Sequence, residues 1–404
     1  MTQGTAPLAL ADALRHVLQG VEALPGKEQV DLAQAPGRIL AEAQRALLDV
    51  PPWANSAMDG YAVRCSDAGR SLPVVARFAA GDPPGSLRQG AAARIFTGAA
   101  VPDGADAVVM QENVQVDGES VVLPDTIASG ENVRPRGQDC CLGEELLPAG
   151  RRLRPQDIGL LASQGVESIA VRSRLRVALL STGSELVEPG AGPLGPGEIF
   201  NSNRPMLAAM LGSLGCELVD LGRVEDTRAA TEIALKRGAL DADLVLSSGG
   251  VSVGEADHVR DAVAALGDID LWKVAIKPGK PFAMGRVTET PFIGLPGNPA
   301  SAFVTFLLLA RPWILVRQGR SDIKPDRFIA RAEFRVAKPG TREEYLRVNT
   351  DTRSGTTRAR AFPNQSSGVL RSVTASDALA RIPVGTTVEP GDSVEVLPLD
   401  LLLS

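Results

Sequence analysis

Four cysteines, two histidines and a 4% aromatic share in 404 residues are small holdings, and each shortage excludes a class of function. Cys65, Cys140, Cys141 and Cys216 show no C-x-x-C spacing, and neighbours such as Cys140 and Cys141 rarely bridge without strain. All four read as free thiols. His16 and His258 alone argue against a histidine-rich zinc site and against a Ser-His-Asp hydrolase, which leaves oxygen ligands and hard metals open. A net charge of -6 provides no basic surplus for a nucleic-acid face, so any bound anion must be held by a local cluster. The longest apolar run, Ala302 to Ala310, stops at Arg311 and Pro312, short of the ~20 residues that cross a bilayer. No membrane span is expected. The N-terminus has no basic stretch followed by an apolar run and a cleavage site, so a cytoplasmic address is expected.

Glycine and proline are plentiful, at 41 and 29 residues, and imply many tight turns. The length exceeds one ordinary core, so several domains are expected. Leu8, Ala11, Leu14, Val17 and Leu18 recur at helical spacing. From 44 to 139, short β-rich runs alternate with turns: Val74 to Phe78, Ala107 to Met110, Val114 to Val116 and Val121 to Leu123, with Asp117-Gly118 as a hairpin signal. Residues 155 to 164 read as a helix, with Pro155 near its start and Gly165 just beyond its end. From 174 to 318, strands at Leu175 to Leu180, Glu217 to Leu221, Leu244 to Leu246, and near 271 to 276 and 291 to 294, alternate with helices starting about Arg204, Arg228, Asp257 and Ala300. That alternation predicts an α/β domain with a mostly parallel sheet covered by helices on both faces. After Ser321, runs such as Arg327 to Val336, Tyr345 to Asn349 and Ser393 to Leu397 predict a C-terminal β domain, a small barrel or sandwich.

Three loops each follow an apolar strand of the central region: Ser181-Thr182-Gly183-Ser184-Glu185, Ser247-Ser248-Gly249-Gly250-Val251-Ser252 and Leu295-Pro296-Gly297-Asn298-Pro299. At the carboxyl edge of a parallel sheet they should converge on a ligand crevice. Glycine admits close approach of backbone amides, and a helix beginning at Ala300 aims its N-terminus at an anion. Any one of these loops is equally a strand-to-helix turn; three on one edge favour a binding site for a phosphorylated, nucleotide-like molecule. Neither common phosphate fingerprint is present. Pro278-Gly279-Lys280-Pro281 lacks the hydroxyl residue of a P-loop, and no G-x-G-x-x-G follows the first strand. Only seven lysines stand among 42 basic residues, yet Lys273, Lys277 and Lys280 cluster, and compact ammonium charges suit variable anion geometry. Glu185, Asp226 and Asp257 share the same edge. Carboxylates beside a phosphate imply a cation between them, and oxygen-only ligation suits Mg²⁺; helix capping is the alternative for Asp226 and Asp257. The turn-rich, polar stretch from Pro51 to Val63 reads as a functional loop.

Five segments in order carry a resemblance over essentially the whole chain: Ser56-Ala57-Met58-Asp59-Gly60-Tyr61-Ala62; Thr97-Gly98-Ala99 continuing through Pro102-Asp103-Gly104-Ala105-Asp106-Ala107-Val108-Val109; Ser248 to Asp257; Lys277-Pro278-Gly279-Lys280-Pro281-Phe282; and Gly294-Leu295-Pro296-Gly297-Asn298-Pro299. Together they resemble the molybdopterin molybdenumtransferases, the bacterial MoeA family related to the gephyrin E domain. The resemblance implies insertion of molybdate into adenylated molybdopterin with release of AMP and with Mg²⁺ present. It implies that Thr182, Gly183, Ser248, Gly249, Gly250, Ser252, Lys280, Pro296, Gly297, Asn298 and Pro299 bind substrate, and that Lys273 and Lys277 meet molybdate. Asp59, Thr97, Asp139, Arg342 and Ser367 join the site by the same resemblance, with Mg²⁺ among Glu185, Asp226 and Asp257. It further implies a homodimer, and transient contact with molybdopterin adenylyltransferase and apo-molybdoenzymes. The expected units are a discontinuous linker domain (1–45 and 140–173) of helices and strands, an inserted β-rich domain (46–139), the α/β domain (174–320) and a C-terminal small β-barrel (321–404). Ser184 and Asn201 stand where relatives often carry acidic residues, which removes potential metal ligands. Two rival readings are a noncatalytic pterin- or nucleotide-binding scaffold and a nucleotide-processing enzyme that shares only the central domain.

Overall fold

The computed structural model describes residues 7–250, 258–353 and 355–403. Its central sheet has six strands in the order Glu217–Val224, Arg176–Thr182, Leu244–Ser248, Thr290–Leu295, Pro281–Val287, Gly267–Lys273. The first four run parallel, and the last two are added antiparallel. Alternation along the strands explains the layers. Val177 and Leu179 face a core shared with Leu207, Leu211, Phe303 and Trp313 of the helices Asn203–Ser213 and Pro299–Arg317. Ala178 and Leu180 face the opposite core, with Leu235, Val259 and Val263 of Arg228–Asp241 and His258–Leu266. A strand covered on both faces reads as an unbroken apolar run, which is how Val177 to Leu180 and Leu244 to Leu246 read.

The sequence reading omits the strand Pro281–Val287. Its start abuts a Lys-Pro-Gly-Lys-Pro loop, and Arg286 interrupts its apolar pattern, so the local signal is weak. The closing helix expected from about Ala300 is present. It runs unbroken from Pro299 to Arg317, past the Arg311-Pro312 pair, and is long and apolar enough to cross a membrane, yet 89% of its most apolar window is buried in the fold. A wide, π-type turn over Phe306–Ala310 precedes Pro312; such a turn relaxes the backbone where proline removes a donor. Arg311 is buried and donates through Nε to the Leu402 carbonyl and through Nη1 to that of Ile323.

The C-terminal strands Phe328–Ala332, Glu343–Asp351, Arg358–Ala361, Ala378–Ile382 and Ser393–Pro398 pair in a closed ring, a five-stranded barrel. Tyr345, Leu379, Leu397 and Leu402 belong to the same hydrophobic cluster as Trp313 and Leu295, so barrel and central sheet share a core. The short strand Ile276–Lys277 joins the barrel edge alongside Glu343 and Glu344. Before the central region, Lys27–Asp31 pairs with Ser168–Arg172, and Gln44–Arg45 with Glu145–Leu147, which brings two distant stretches of chain together. Ala13 and Val17 of the first helix, Leu10–Leu18, pack into the central core. The region between carries its own six-stranded sheet, with the expected hairpin at Gly118, whose φ of 56° suits the two-residue turn between Asp117 and Ser120.

Candidate active site

Parallel register sets the three glycine loops on one rung. Ser181 is the partner of Ser248, and Ser248 of Leu295, so each loop leaves the sheet at the same level. They converge, as expected, on a crevice of about 780 Å³, within the roughly 300–1,000 Å³ usual for organic ligands. Of the residues singled out in the sequence, Thr182, Gly183, Glu185, Asp226, Ser248, Gly249, Gly250, Pro296, Gly297, Asn298 and Pro299 line it. Ser252 and Asp257 lie outside the described residues. Gly250 has φ 69°, and a Cβ there would stand 2.3 Å from Val259 Cγ2, so the loop can pass the helix only without a side chain.

The sequence reading misses the residue that fixes two of these loops to each other. Asn203, nearly buried, donates through Nδ2 to Ser248 Oγ at 2.9 Å and to the Gly297 carbonyl at 2.6 Å. Its only local signal is a polar run, Asn201-Ser202-Asn203, at a helix start. Two exposed apolar side chains on the crevice wall, Ile199 and Phe200, were missed as well. The helix beginning at Pro299 presents its first turn to the crevice, but the Ala300 amide already donates to the Ser367 carbonyl at 3.0 Å.

The lysines stand at the same edge, because Lys273 pairs with Pro281 at the mouth of the antiparallel hairpin, and Pro281 lines the crevice. None of the three lysines is itself in the crevice wall. Lys273 and Lys280 are exposed and form no ion pair among the described residues, whereas Lys277 Nζ lies 3.2 Å from Glu344 Oε1. An anion at Lys277 therefore competes with a carboxylate. The barrel reaches this edge at both residues carried over to it: Arg342 Nη1 donates to the Ile276 carbonyl at 3.3 Å, and Ser367 Oγ accepts from Asn298 Nδ2 at 3.2 Å.

Asp226 precedes the helix Arg228–Asp241, but the cap of that helix is Thr227, whose Oγ1 accepts from the Ala230 amide. Asp226 thus lines the crevice without serving as the cap. Asn201 is spent on structure: its Nδ2 donates to Ser181 Oγ and Glu188 Oε1. Among the described residues no three acidic, histidine or cysteine side chains gather around one point. Two crevice carboxylates, Glu185 and Asp226, remain, and Mg²⁺ is commonly held by one or two carboxylates completed by substrate phosphates and water. The donor set fits that use.

Asp59 and Thr97 meet on the inserted sheet, where Asp59 Oδ1 accepts from the Thr97 amide and from its hydroxyl, each at 2.8 Å. The amide first, then the hydroxyl, and more distantly Arg94, hold the Asp59 carboxyl below its usual range despite its exposure. Asp139 is exposed elsewhere, its amide bonded to the Val50 carbonyl. Among the described residues no hydrogen bond or ion pair joins residues 54–134 to the central sheet or the barrel. Neither Asp59 nor Thr97 lines the crevice.

Three family models match the chain: the MoeA N-terminal region (domain I and II) over residues 8–165, the probable molybdopterin binding domain over residues 178–315, and the MoeA C-terminal region (domain IV) over residues 330–399. A molybdopterin molybdenumtransferase of Haemophilus influenzae is 41% identical over 345 residues, covering 84% of this chain and 85% of its own length. That of a Nostoc species is 38% identical over 406 residues, covering 97% and 93%. Among solved structures, a molybdopterin biosynthesis MoeA protein of Pyrococcus horikoshii aligns with a TM-score of 0.85 at 26% identity, over 97% of this chain and 100% of that one.

The Asp59 geometry makes a titration test. A group whose folded pKa is lowered adds stability that is present above the ordinary carboxylate pKa and is lost as pH falls through the lowered one. Thr97→Val keeps the amide donor and deletes the hydroxyl, so the Asp59 pKa should rise partway toward its ordinary value. Carboxyl ¹³C chemical shifts followed over pH 2–6 measure this, and an unchanged midpoint would show that the hydroxyl bond is absent in solution.

Proposed function

We infer the function of a chain that belongs to the MoeA family of molybdopterin molybdenumtransferases: it is an enzyme of molybdenum cofactor biosynthesis that inserts molybdenum into molybdopterin. The observation that carries the assignment of this chemistry to the crevice is the shared rung of the three glycine loops. In the reading proposed, the substrates are adenylated molybdopterin and molybdate, and AMP leaves as the molybdenum cofactor forms. Thr182, Gly183, Ser248, Gly249, Gly250 and residues 296–299 would receive the phosphates, together with Lys280. Ile199 and Phe200 offer an apolar wall for a flat ring. Molybdate, a dianion, would meet Lys273 and Lys277, displacing the carboxylate of Glu344 from Lys277. Glu185 and Asp226 would hold Mg²⁺ with substrate oxygens, and Asp257 is proposed as a third ligand. When bound, that ion would neutralise phosphate charge. Arg342 and Ser367 reach the lysine and loop edges from the barrel and would fix that side of the site.

Asp59 and Thr97 would join this site from a second copy, because among the described residues no hydrogen bond or ion pair joins the inserted sheet to the central sheet of its own chain, and Asp139 is proposed alongside them. An isologous dimer would create two such composite sites. The inserted region and the paired N-terminal and 140–173 stretches have cores of their own, and the central region and the barrel each add a core to the one they share, which supports the four-unit division. A cytoplasmic location and brief contacts with molybdopterin adenylyltransferase and apo-molybdoenzymes complete the proposal. A noncatalytic scaffold is not favoured, since the relatives matched over most of the chain are named as transferases.

Purified chain supplied with adenylated molybdopterin, molybdate and Mg²⁺ should release AMP and reconstitute an apo-molybdoenzyme. Lys273→Ala or Lys277→Ala should cut that yield by about 100-fold, the scale of losing one preorganised charge at a reacting anion, while circular dichroism stays unchanged. Normal yield in both variants would remove molybdate from the lysines. Asp226→Asn keeps shape and loses charge, so AMP release should need more Mg²⁺; an identical Mg²⁺ titration would remove Asp226 from the ion. Finally, Asp59→Asn and Lys273→Ala homodimers should both be inactive. Differently tagged heterodimers of the two should regain about half of wild-type activity, because one site then carries neither lesion. Intact heterodimers as dead as their parents would refute the shared site.

A further inference from the structure

Away from the crevice, a cavity of about 200 Å³ opens where residues 36–39 and 172–174 approach residues 212–215, at the far end of the helix Asn203–Ser213. Four arginines line it, Arg38, Arg152, Arg172 and Arg174, and the lining includes no carboxylate. Arg38 is paired with Glu28. Arg172 gives one Nη1 bond to the Leu24 carbonyl, and its buried Nε has no hydrogen-bond partner among the described residues. The guanidinium groups of Arg152 and Arg174 form neither an ion pair nor a hydrogen bond among the described residues. Apart from Glu28 on Arg38, carboxylates of the described residues act on this wall at longer range, Glu42 on Arg172 and Asp322 on Arg152. Burial, then the like charge of Arg320, weakens the hold of Arg152 on its proton.

Like charges gathered in a partly buried wall, three of these four without a paired carboxylate among the described residues, are unfavourable unless an anion completes them. Guanidinium groups offer planar pairs of donors that match the oxygens of a tetrahedral oxyanion. We propose that this cavity is a binding site for one small tetrahedral oxyanion, phosphate or molybdate in class. At about 200 Å³ it falls below the roughly 300 Å³ where organic-ligand pockets begin, which excludes a nucleotide. The walls come from residues 36–39, 152 and 172–174 on one side and from residues 212–215 and 318 of the central α/β unit on the other. A bound anion therefore ties these two sides together and should raise the melting temperature.

The test is isothermal titration of the full-length chain with inorganic phosphate and, separately, with molybdate, at ionic strength held constant with chloride. Thermal melting is run in parallel. The expected result is one saturable event that is retained in Lys277→Ala, accompanied by a higher melting temperature, and weakened at least tenfold in Arg152→Gln and in Arg174→Gln. The anion bound more tightly names the source. Arg174 is exposed, so its variant decides the matter should Arg152→Gln fold poorly. Absence of saturable binding with both anions, binding unchanged in Arg174→Gln, or binding lost in Lys277→Ala would each overturn the proposal.

Discussion

The arrangement of the crevice hangs on the strand Leu244–Ser248, buried along its whole length and paired in parallel on both sides. Parallel pairing leaves no freedom in where its neighbours end. With Ser181, Ser248 and Leu295 on one rung, three loops must emerge together, and the helices that follow must return along the faces. The side chain of Asn203 then ties the second loop to the third, so the crevice floor is set by covalent order and two hydrogen bonds more than by side-chain shape. A buried donor so placed is costly to lose, at ~1–3 kcal/mol for an acceptor left unpaired.

The parts legible in the sequence are those whose cause is local. Unbroken apolar runs at Val177 to Leu180 and Leu244 to Leu246 announce doubly covered strands, and the glycine loops after them announce a site. Asp117-Gly118 announces a hairpin. The parts that were not legible depend on partners far along the chain. Nothing near Arg311 tells that Leu402 and Ile323 will accept its hydrogen bonds, so an arginine followed by proline reads as the end of an apolar run when it lies mid-helix. Pro281–Val287 is a strand because Gly267–Lys273 and Thr290–Leu295 flank it, not because of its own pattern. Asn203 reads as an ordinary helix start until Ser248 and Gly297 are brought to it.

The unequal use of the two basic residues becomes intelligible once ion pairs are assigned. Arginine carries the fixed pairs, such as Arg381 with Glu343 and Glu395, and the buried bonds of Arg311 and Arg347, where a planar fork keeps several acceptors in place. Lysine is confined to few positions, and at the crevice edge two of the three leave their ammonium groups without an ionic partner among the described residues. Lys277 differs because the Ile276–Lys277 strand sets it beside Glu344 on the barrel rim. Its charge is thereby positioned in the absence of an anion, at the cost of a competing carboxylate. Barrel and α/β domain share a core, so this positioning does not depend on a flexible hinge.

The inserted sheet obeys a different logic. Its connection to the rest runs through a narrow stalk, where Val50 bridges Cys140, Arg136 pairs with Asp49, and Asp49 accepts from the Leu142 amide. Its cores are its own. A domain held by two chain segments contributes little to the stability of the central sheet, so packing does not account for its presence or for an exposed carboxylate held ionised by Thr97. If Asp59 acts in the proposed chemistry, its position must be fixed by something outside its own chain's central domain. Two-fold pairing supplies that constraint for both copies at once, since the surface that delivers Asp59 to one crevice is repeated at the other. On that reading, the sparse attachment of the insert within a chain leaves its orientation to be set by the neighbouring copy, and the composite site follows from that division.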